Sequence, residues 1–419
     1  MRRHIAVALS LALFVGGAMA AELPQPVGQK FHVGPGDLPK PYASGGGSNP
    51  SDEVVRPTAV PLLVPPGFRA NIFHEGFRHA RWLAVAENGD VFVADSRAGR
   101  VRLVRDTDGD GEAEELYTFT NEIVRPHGMA IHGGYLYVSD TRQVWRYAYE
   151  PGQTERRHSA ELVTAVGALG DGGGHWTRNL AVSPDGRHLF VAVGSFGNVG
   201  EEPAPRATVQ RFTVDGKQQT TYGSGLRNPV GIAFYPGTSD LYVTVNERDG
   251  LGDELPPDYL TRVREGDFFG WPYAYIGANP DPEYGRRRPD LVAATKVPDL
   301  LFRAHSAPLG LVFYDGTQFP EAYRGDAFVA LHGSWNAARP RGYMVARVPF
   351  ENGRPAGGYE SFVTGFWVEG ETPPRVWGRP AGLAVAKDGS LLIADDVSPA
   401  WFGGWPMSAS RNGGGLSLT

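Results

Sequence analysis

No cysteine occurs anywhere in the 419 residues. That absence excludes disulfides, iron–sulfur clusters, a covalent CxxCH haem attachment and a thiol nucleophile, so any redox function needs a non-covalent cofactor and an external electron acceptor. Long hydrophobic runs are also missing: past the first 20 residues, no stretch approaches the roughly 20 apolar residues of a membrane helix. Positive charge is not in excess. Acidic residues number 46 against 40 Lys plus Arg, for a formal net charge of −6, which argues against nucleic acid as a partner because phosphate binding needs a basic surface.

What is present begins with a leader. Arg2, Arg3 and His4 precede an apolar segment from Ile5 to Val15, and Ala18-Met19-Ala20 supplies a small-x-small site before Ala21. This is the pattern of a secretory signal peptide over residues 1–20, and it places the mature chain in the periplasm or outside the cell. Its removal moves the formal charge to about −8. Residues 21–60, with QPVGQKF, GPGDLPKPY and SGGGSNPSD in succession, read as a Pro/Gly-rich arm. Residues 61–419 read as one domain.

Within that domain one phrase recurs six times: an apolar strand, a Gly-containing turn, and a second strand running into Asp, Ser, Glu or Gly. The copies are LAVAENGDVFVADS from Leu83, GMAIHGGYLYVSD from Gly128, LAVSPDGRHLFVAVGS from Leu180, GIAFYPGTSDLYVTVNE from Gly231, LGLVFYDGTQFPEAYRGDAFVALHGS from Leu309 and GLAVAKDGSLLIADD from Gly382. Each is a β-hairpin in sequence form. Spacings of roughly 45 to 80 residues suit propeller blades, so the expected fold is all-β, a six-bladed β-propeller with a binding site on its axis. The 56 glycines and 34 prolines serve its many turns. The rhythm breaks between Arg248 and Ala307, where a face-covering loop is expected.

Four constellations could carry chemistry. His175 follows three glycines in GDGGGHWTRNLAV, where backbone can approach a ligand closely and an imidazole can take a proton; a histidine simply hydrogen-bonded in a turn is the alternative. Arg227 and Asn228 open the inner strand of GLRNPVGIAF and offer a fork of donors for a carboxylate or quinone oxygen. VNERDGLGDEL clusters Glu247, Asp249, Asp253 and Glu254 in a flexible loop suited to a hard cation. Arg339, Arg341 and Arg379 would make an anion cradle, since buried unpaired cations are costly. A further acidic run, DTDGDGEAE from Asp106, has the spacing of a calcium turn but places Tyr117 where an EF-hand needs a carboxylate.

Taken in order, GGGHWTRNLAVSPDG, GLRNPVGIAF, NERDGLGDEL, FFGWP, HGSWN and GRPAGLAVAKDG resemble the glucose/sorbosone dehydrogenase family of pyrroloquinoline quinone (PQQ) enzymes, over residues 65–396. The resemblance is closest to the L-sorbosone and aldose sugar dehydrogenase branch. It implies a six-bladed propeller that oxidises an aldose or sugar aldehyde with PQQ and Ca²⁺. His175 then matches the general base. Arg227, Asn228 and Arg379 match cofactor ligands, with Arg339 or Arg341 approximating a further basic residue, and the carbonyls of Arg248 and Asp249 match the calcium segment. Two departures stand out: Ser195 occupies the place of an Asp partner to the histidine, with Glu201 or Glu202 as substitutes, and Ala337 follows HGSWN where an Arg is common. After Asp396 the chain lacks an aromatic-rich closing strand, so closure falls to an N-terminal strand. A metal-dependent propeller lactonase and a non-catalytic glycan-binding propeller are the competing readings.

Overall fold

The computed structural model describes residues 24–56 and 62–397, with four two-residue strands between Gly404 and Leu416. The leader expected at residues 1–20 lies outside the described residues. The alternating apolar segments form six successive antiparallel sheets, whose first strands are Ala80–Val85, Met129–His132, Arg178–Val182, Asn228–Phe234, Pro308–Phe313 and Pro380–Val385. Each sheet is a meander in which consecutive strands pair, joined by turns such as Gly133-Gly134, both at positive φ (57° and 76°) as a tight hairpin requires.

The second strands show how the sheets stack. Val91–Asp95, Ala327–Leu331 and Leu391–Asp395 are buried at every residue. An isolated two-sided sheet alternates buried and exposed positions, so total burial means that both faces are covered by neighbouring sheets.

Each first strand packs beside the first strand of the next sheet, and the sixth returns to the first. Glycine makes this approach possible. A Cβ on Gly382 would sit 2.9 Å from both the Arg81 carbonyl and the Trp82 Cα, and one on Gly310 would collide with the Ala381 carbonyl. Near the start of the first, fourth, fifth and sixth of these strands the pairing register shifts, next to Pro229, Pro308 and Pro380 in the last three. Proline has no N–H for the ladder, so a bulge there costs little and re-aims the residue before it.

Three sequence expectations change. The stretch from Arg248 to Ala307 is not one covering loop: it holds the third and fourth strands of the fourth sheet, Tyr259–Val263 and Leu300–Leu301, and only the chain between them is an excursion. The arm is not a free linker. Lys30–Phe31 adds to the edge of the fifth sheet, Asp52–Glu53 pairs in parallel with Arg375–Val376, and the Ser44 hydroxyl accepts the Asp253 N–H at 2.8 Å. Finally, Gly404–Trp405 adds a third strand to the sixth sheet, while Arg69–Ala70 pairs with Met407–Ser408. The N-terminal strand thus meets C-terminal chain that the sequence had not revealed as strand, in a two-stranded sheet separate from the sixth.

Substituting Gly310 by Ala should push two first strands apart. The expected loss is about 1–3 kcal/mol of unfolding free energy, read from the urea midpoint at unchanged m-value.

Candidate active site

Because the first strands converge, the residues just before them gather at one end of the sheets. His79, Arg125, His175, Arg227 and Arg379 all stand within four residues of a first-strand start. Between these starts lies a cavity of ≈ 380 Å³ whose wall includes His175, Arg227, Asn228, Asp249 and Arg379 from the sequence reading. It also includes Arg81, Trp176, Glu247, Asp258, His305, His332, Trp335 and Asn336.

His175 is held by its backbone neighbours. Its Nδ1 lies 2.9 Å from the Ser195 carbonyl and 2.9 Å from the Ser195 hydroxyl, which itself donates to the Gly197 carbonyl at 2.7 Å. A carbonyl only accepts, so Nδ1 carries the proton and Nε2 is left as the acceptor. Burial, then the nearby Arg227 charge, lowers the imidazole to about 4. It is therefore neutral at pH 7. Ser195 thus orients the ring without a carboxylate, and Glu202 does not substitute: its oxygens accept the Phe196 and Gly197 N–H groups.

Arg227 is fully committed to the protein. Its Nε and Nη2 donate to the Asn198 carbonyl and side-chain oxygen, and its Nη1 to the carbonyls of Asn246 and Glu247. Its remaining offer to a ligand is the flat guanidinium face and its charge. Asn228 is different, with a buried Oδ1 that has no partner among the described residues.

Opposite stands an acidic wall. Asp249 accepts from Asn336, faces His305 Nδ1 at 3.5 Å and Arg227 Nη2 at 3.4 Å, and is held below its ordinary value by these groups against the effect of burial. Burial pushes Glu247 up to about 7 and Asp258 up to about 6, and Glu247 Oε1 has no partner among the described residues. Of the two carbonyls expected to bind a cation, that of Asp249 already accepts from Asn198 and Arg248, while the Arg248 guanidinium reaches Asp281. The wall also offers the carboxylate oxygens of Glu247 and Asp249.

On the remaining side, Arg379 donates to the carbonyls of His332 and Gly333, and His332 Nε2 donates to Asp396 at 2.7 Å. Asp396 also pairs with Arg81. Burial opposes its charge, but His332 and the permanently charged Arg81 hold Asp396 well below the usual carboxylate range.

Arg339 and Arg341 do not join this site. Both line a separate cavity beside Pro24 and Gln25, and Arg341 makes a bidentate pair with Glu254 at 2.8 and 2.9 Å. They follow the fifth sheet's second strand in sequence, but the chain has already turned outward. The oxygens of Asp106, Asp108, Asp110 and Glu114 do lie within 4.8 Å of one another, and none of these residues lines the cavity. Arg81 and His305 escaped the sequence reading, although HARWLAV repeats the basic-residue-before-strand signal of GLRNPVGIAF and GRPAGLAV.

A family model described as TrAA12-like matches residues 62–258 and 288–400. A curated PQQ-dependent pyranose dehydrogenase of Coprinopsis cinerea is 25% identical over 336 residues, which cover 69% of this chain and 45% of that protein. The chain therefore spans under half of that relative. An uncharacterised protein of Borreliella burgdorferi is 28% identical over 346 residues, 80% of this chain and 88% of its own. Among solved structures, the holo PQQ domain of the Coprinopsis cinerea pyranose dehydrogenase superposes with a TM-score of 0.70 at 20% identity, covering 86% of this chain and 100% of that one. A calcium structure of a Trichoderma reesei AA12 enzyme gives 0.69 at 20% identity, covering 85% and 99%.

Replacing Asp396 by Asn should strand the Arg81 charge and cost about 3 kcal/mol of stability at pH 7. The wild-type carboxyl has a depressed folded value, so its contribution is full above the unfolded value of about 4 and fades only below it. Urea titrations of both proteins from pH 3 to 7 check this.

Proposed function

The chain belongs to the TrAA12-like family, and on that premise we propose that it is an exported PQQ-dependent sugar dehydrogenase, with its six sheets arranged as the blades of one propeller. The cyclic packing of the first strands and the fold shared with PQQ-bound proteins support the architecture, and the leader pattern supports export. One observation carries the chemistry. An imidazole with its proton fixed on Nδ1 presents an unprotonated Nε2 to a cavity that also holds the guanidinium groups of Arg81, Arg227 and Arg379.

The cavity's donor set fits PQQ, a planar tricarboxylate. Arg81 and Arg379 bring charge-assisted donors for carboxylates, Asn228 an unsatisfied oxygen, and Arg227 a flat face against which a ring can stack. The acidic wall fits Ca²⁺, with Glu247 and Asp249 as the side chains that would hold it. Bound PQQ supplies a two-electron acceptor for the hydrogen leaving the anomeric carbon.

The protein's own part is positional and acid–base. Neutral His175 takes the proton of the anomeric hydroxyl at Nε2, and the Ser195 carbonyl keeps the imidazole in the tautomer that can do so. Arg227, anchored by its four carbonyl and amide contacts, keeps fixed positive charge beside the reacting oxygen without reorganising. Trp335, 52% exposed at the rim, gives a sugar ring an apolar surface to lie on.

Adding PQQ and Ca²⁺ to the purified protein should produce a cofactor spectrum and dye reduction with aldoses; their absence would remove the proposal. His175→Ala should lower kcat on the order of 10²-fold while the cofactor spectrum persists, whereas Arg379→Ala should weaken PQQ retention. The base must be neutral to act, and its folded value is about 4. Turnover should therefore hold as pH falls from 7 to 5 and drop only as pH passes through that value. An acid limb centred near 6.5 would contradict the role given to burial and Arg227.

A further inference from the structure

A second cavity, of ≈ 240 Å³, opens behind the first. Arg81, Trp176, His332 and Arg379 line both, so these side chains form the shared wall. The far side of the second cavity is built from Arg97 and Arg125, which do not line the first. Its titratable lining is completed by Glu53, His79 and Asp396.

The charges here do not balance. Four guanidinium groups meet two carboxylates, and Asp396 is already engaged by Arg81 and His332. Glu53 makes no ion pair among the described residues. Burial and the charge of Arg81 are among the causes that hold His79 neutral, at about 4. Arg97 has no hydrogen-bond or ion-pair partner among the described residues. Arg125 lies with its guanidinium 4.3 Å from the Trp176 ring centroid, and Arg81 approaches the same ring at 5.6 Å. Trp176 is itself braced from below by His127, which packs between it and Trp82 with centroids 5.5 and 5.1 Å away. Arg125 is held at positive φ, 49°, a conformation an ordinary residue adopts only when its surroundings fix it.

Partial burial, then the nearby charges of Arg97 and Arg81, lowers Arg125 from its ordinary value. An anion is the missing partner. The cofactor's carboxylates have Arg81 and Arg379 in the first cavity, which leaves the Arg97 and Arg125 forks for something else.

We propose that the second cavity is an anion subsite that takes the carboxylate of an acidic sugar, so that the preferred substrates are uronates whose reducing carbon reaches His175. The presentation of that carbon rests on the dehydrogenase reading; the anion subsite does not. Trp176 follows His175 directly in the chain and forms part of the shared wall, which makes the two places neighbours. A planar carboxylate matches the guanidinium fork, and the shared chemistry with inorganic phosphate or a sugar phosphate is separated by experiment.

Calorimetry on the full chain, with and without PQQ and Ca²⁺, should use galacturonate, galactose, galactose 6-phosphate and inorganic phosphate as separate probes. Galacturonate is expected to bind ~10-fold or more tighter than galactose, and Arg97→Gln and Arg125→Gln should each erase most of that difference while leaving galactose binding in place. Arg97→Lys should restore part of it. Equal affinity for the two sugars, an unchanged preference in both Gln variants, or phosphate alone binding as tightly as galacturonate would overturn the subsite, the last outcome marking an adventitious ion only. Loss of PQQ affinity in the Gln variants would assign these arginines to the cofactor and overturn it as well. Uronate binding without any dye reduction would leave the subsite standing and remove the dehydrogenase reading.

Discussion

The close approach of neighbouring first strands is the constraint on which the rest of this molecule depends. Strands whose backbones nearly touch leave no space for side chains between them, which is why Gly128, Gly231, Gly310 and Gly382 recur at matching places in the repeats. Their convergence has a direct chemical result. Residues just upstream, scattered over some 300 positions of chain, are brought to the rim of one cavity, and the bulges beside Pro229, Pro308 and Pro380 set the direction in which those residues point.

A site made this way is rigid because its polar groups are secured to backbone. Arg227 spends its donors on Asn198, Asn246 and Glu247, Arg379 on His332 and Gly333, and His175 on Ser195. Apart from that of Asn198, these carbonyls lie at or just past strand ends and cannot move far without breaking ladders. The resulting array of fixed dipoles and charges is the kind of environment that stabilises developing charge without reorganisation cost. It also explains how a serine can stand in for an acidic partner to the histidine: a main-chain carbonyl sets the tautomer equally well, and burial with Arg227 keeps the ring neutral.

The N-terminal arm shows that a segment without periodicity can still be structural. Asn49 donates to the carbonyls of Ala337 and Glu371, and Ser44 holds the Asp253 amide. Both contacts bear on loops next to the acidic wall, the loop at 250–254 and the one around HGSWN. Neither contact has a sequence signature, since a polar residue in a Gly/Pro-rich stretch reads the same whether it is solvated or pinned.

The sequence by itself determined the all-β class, the six repeats, and the part of the site that sits immediately before a repeat: His175, Arg227, Asn228 and Arg379. These were legible because a strand's alternation and its turn are local properties, and a residue adjacent to them inherits their position. Tertiary structure decided the rest. Tyr259–Val263 was hidden as a strand because its neighbours in sequence, PPDYL and REGDFFGWP, look like loop, and only pairing with Leu241–Asn246 makes it one. Arg339 and Arg341 looked equivalent to Arg379 but face another cavity, because the direction of a side chain after a turn depends on where Glu254 waits to pair with it. His305, Asp258 and Asp396 entered the site through contacts between groups as many as 315 positions apart, such as Arg81 with Asp396. Pairings of that range carry no periodic trace in the chain; they exist only once the sheets have met.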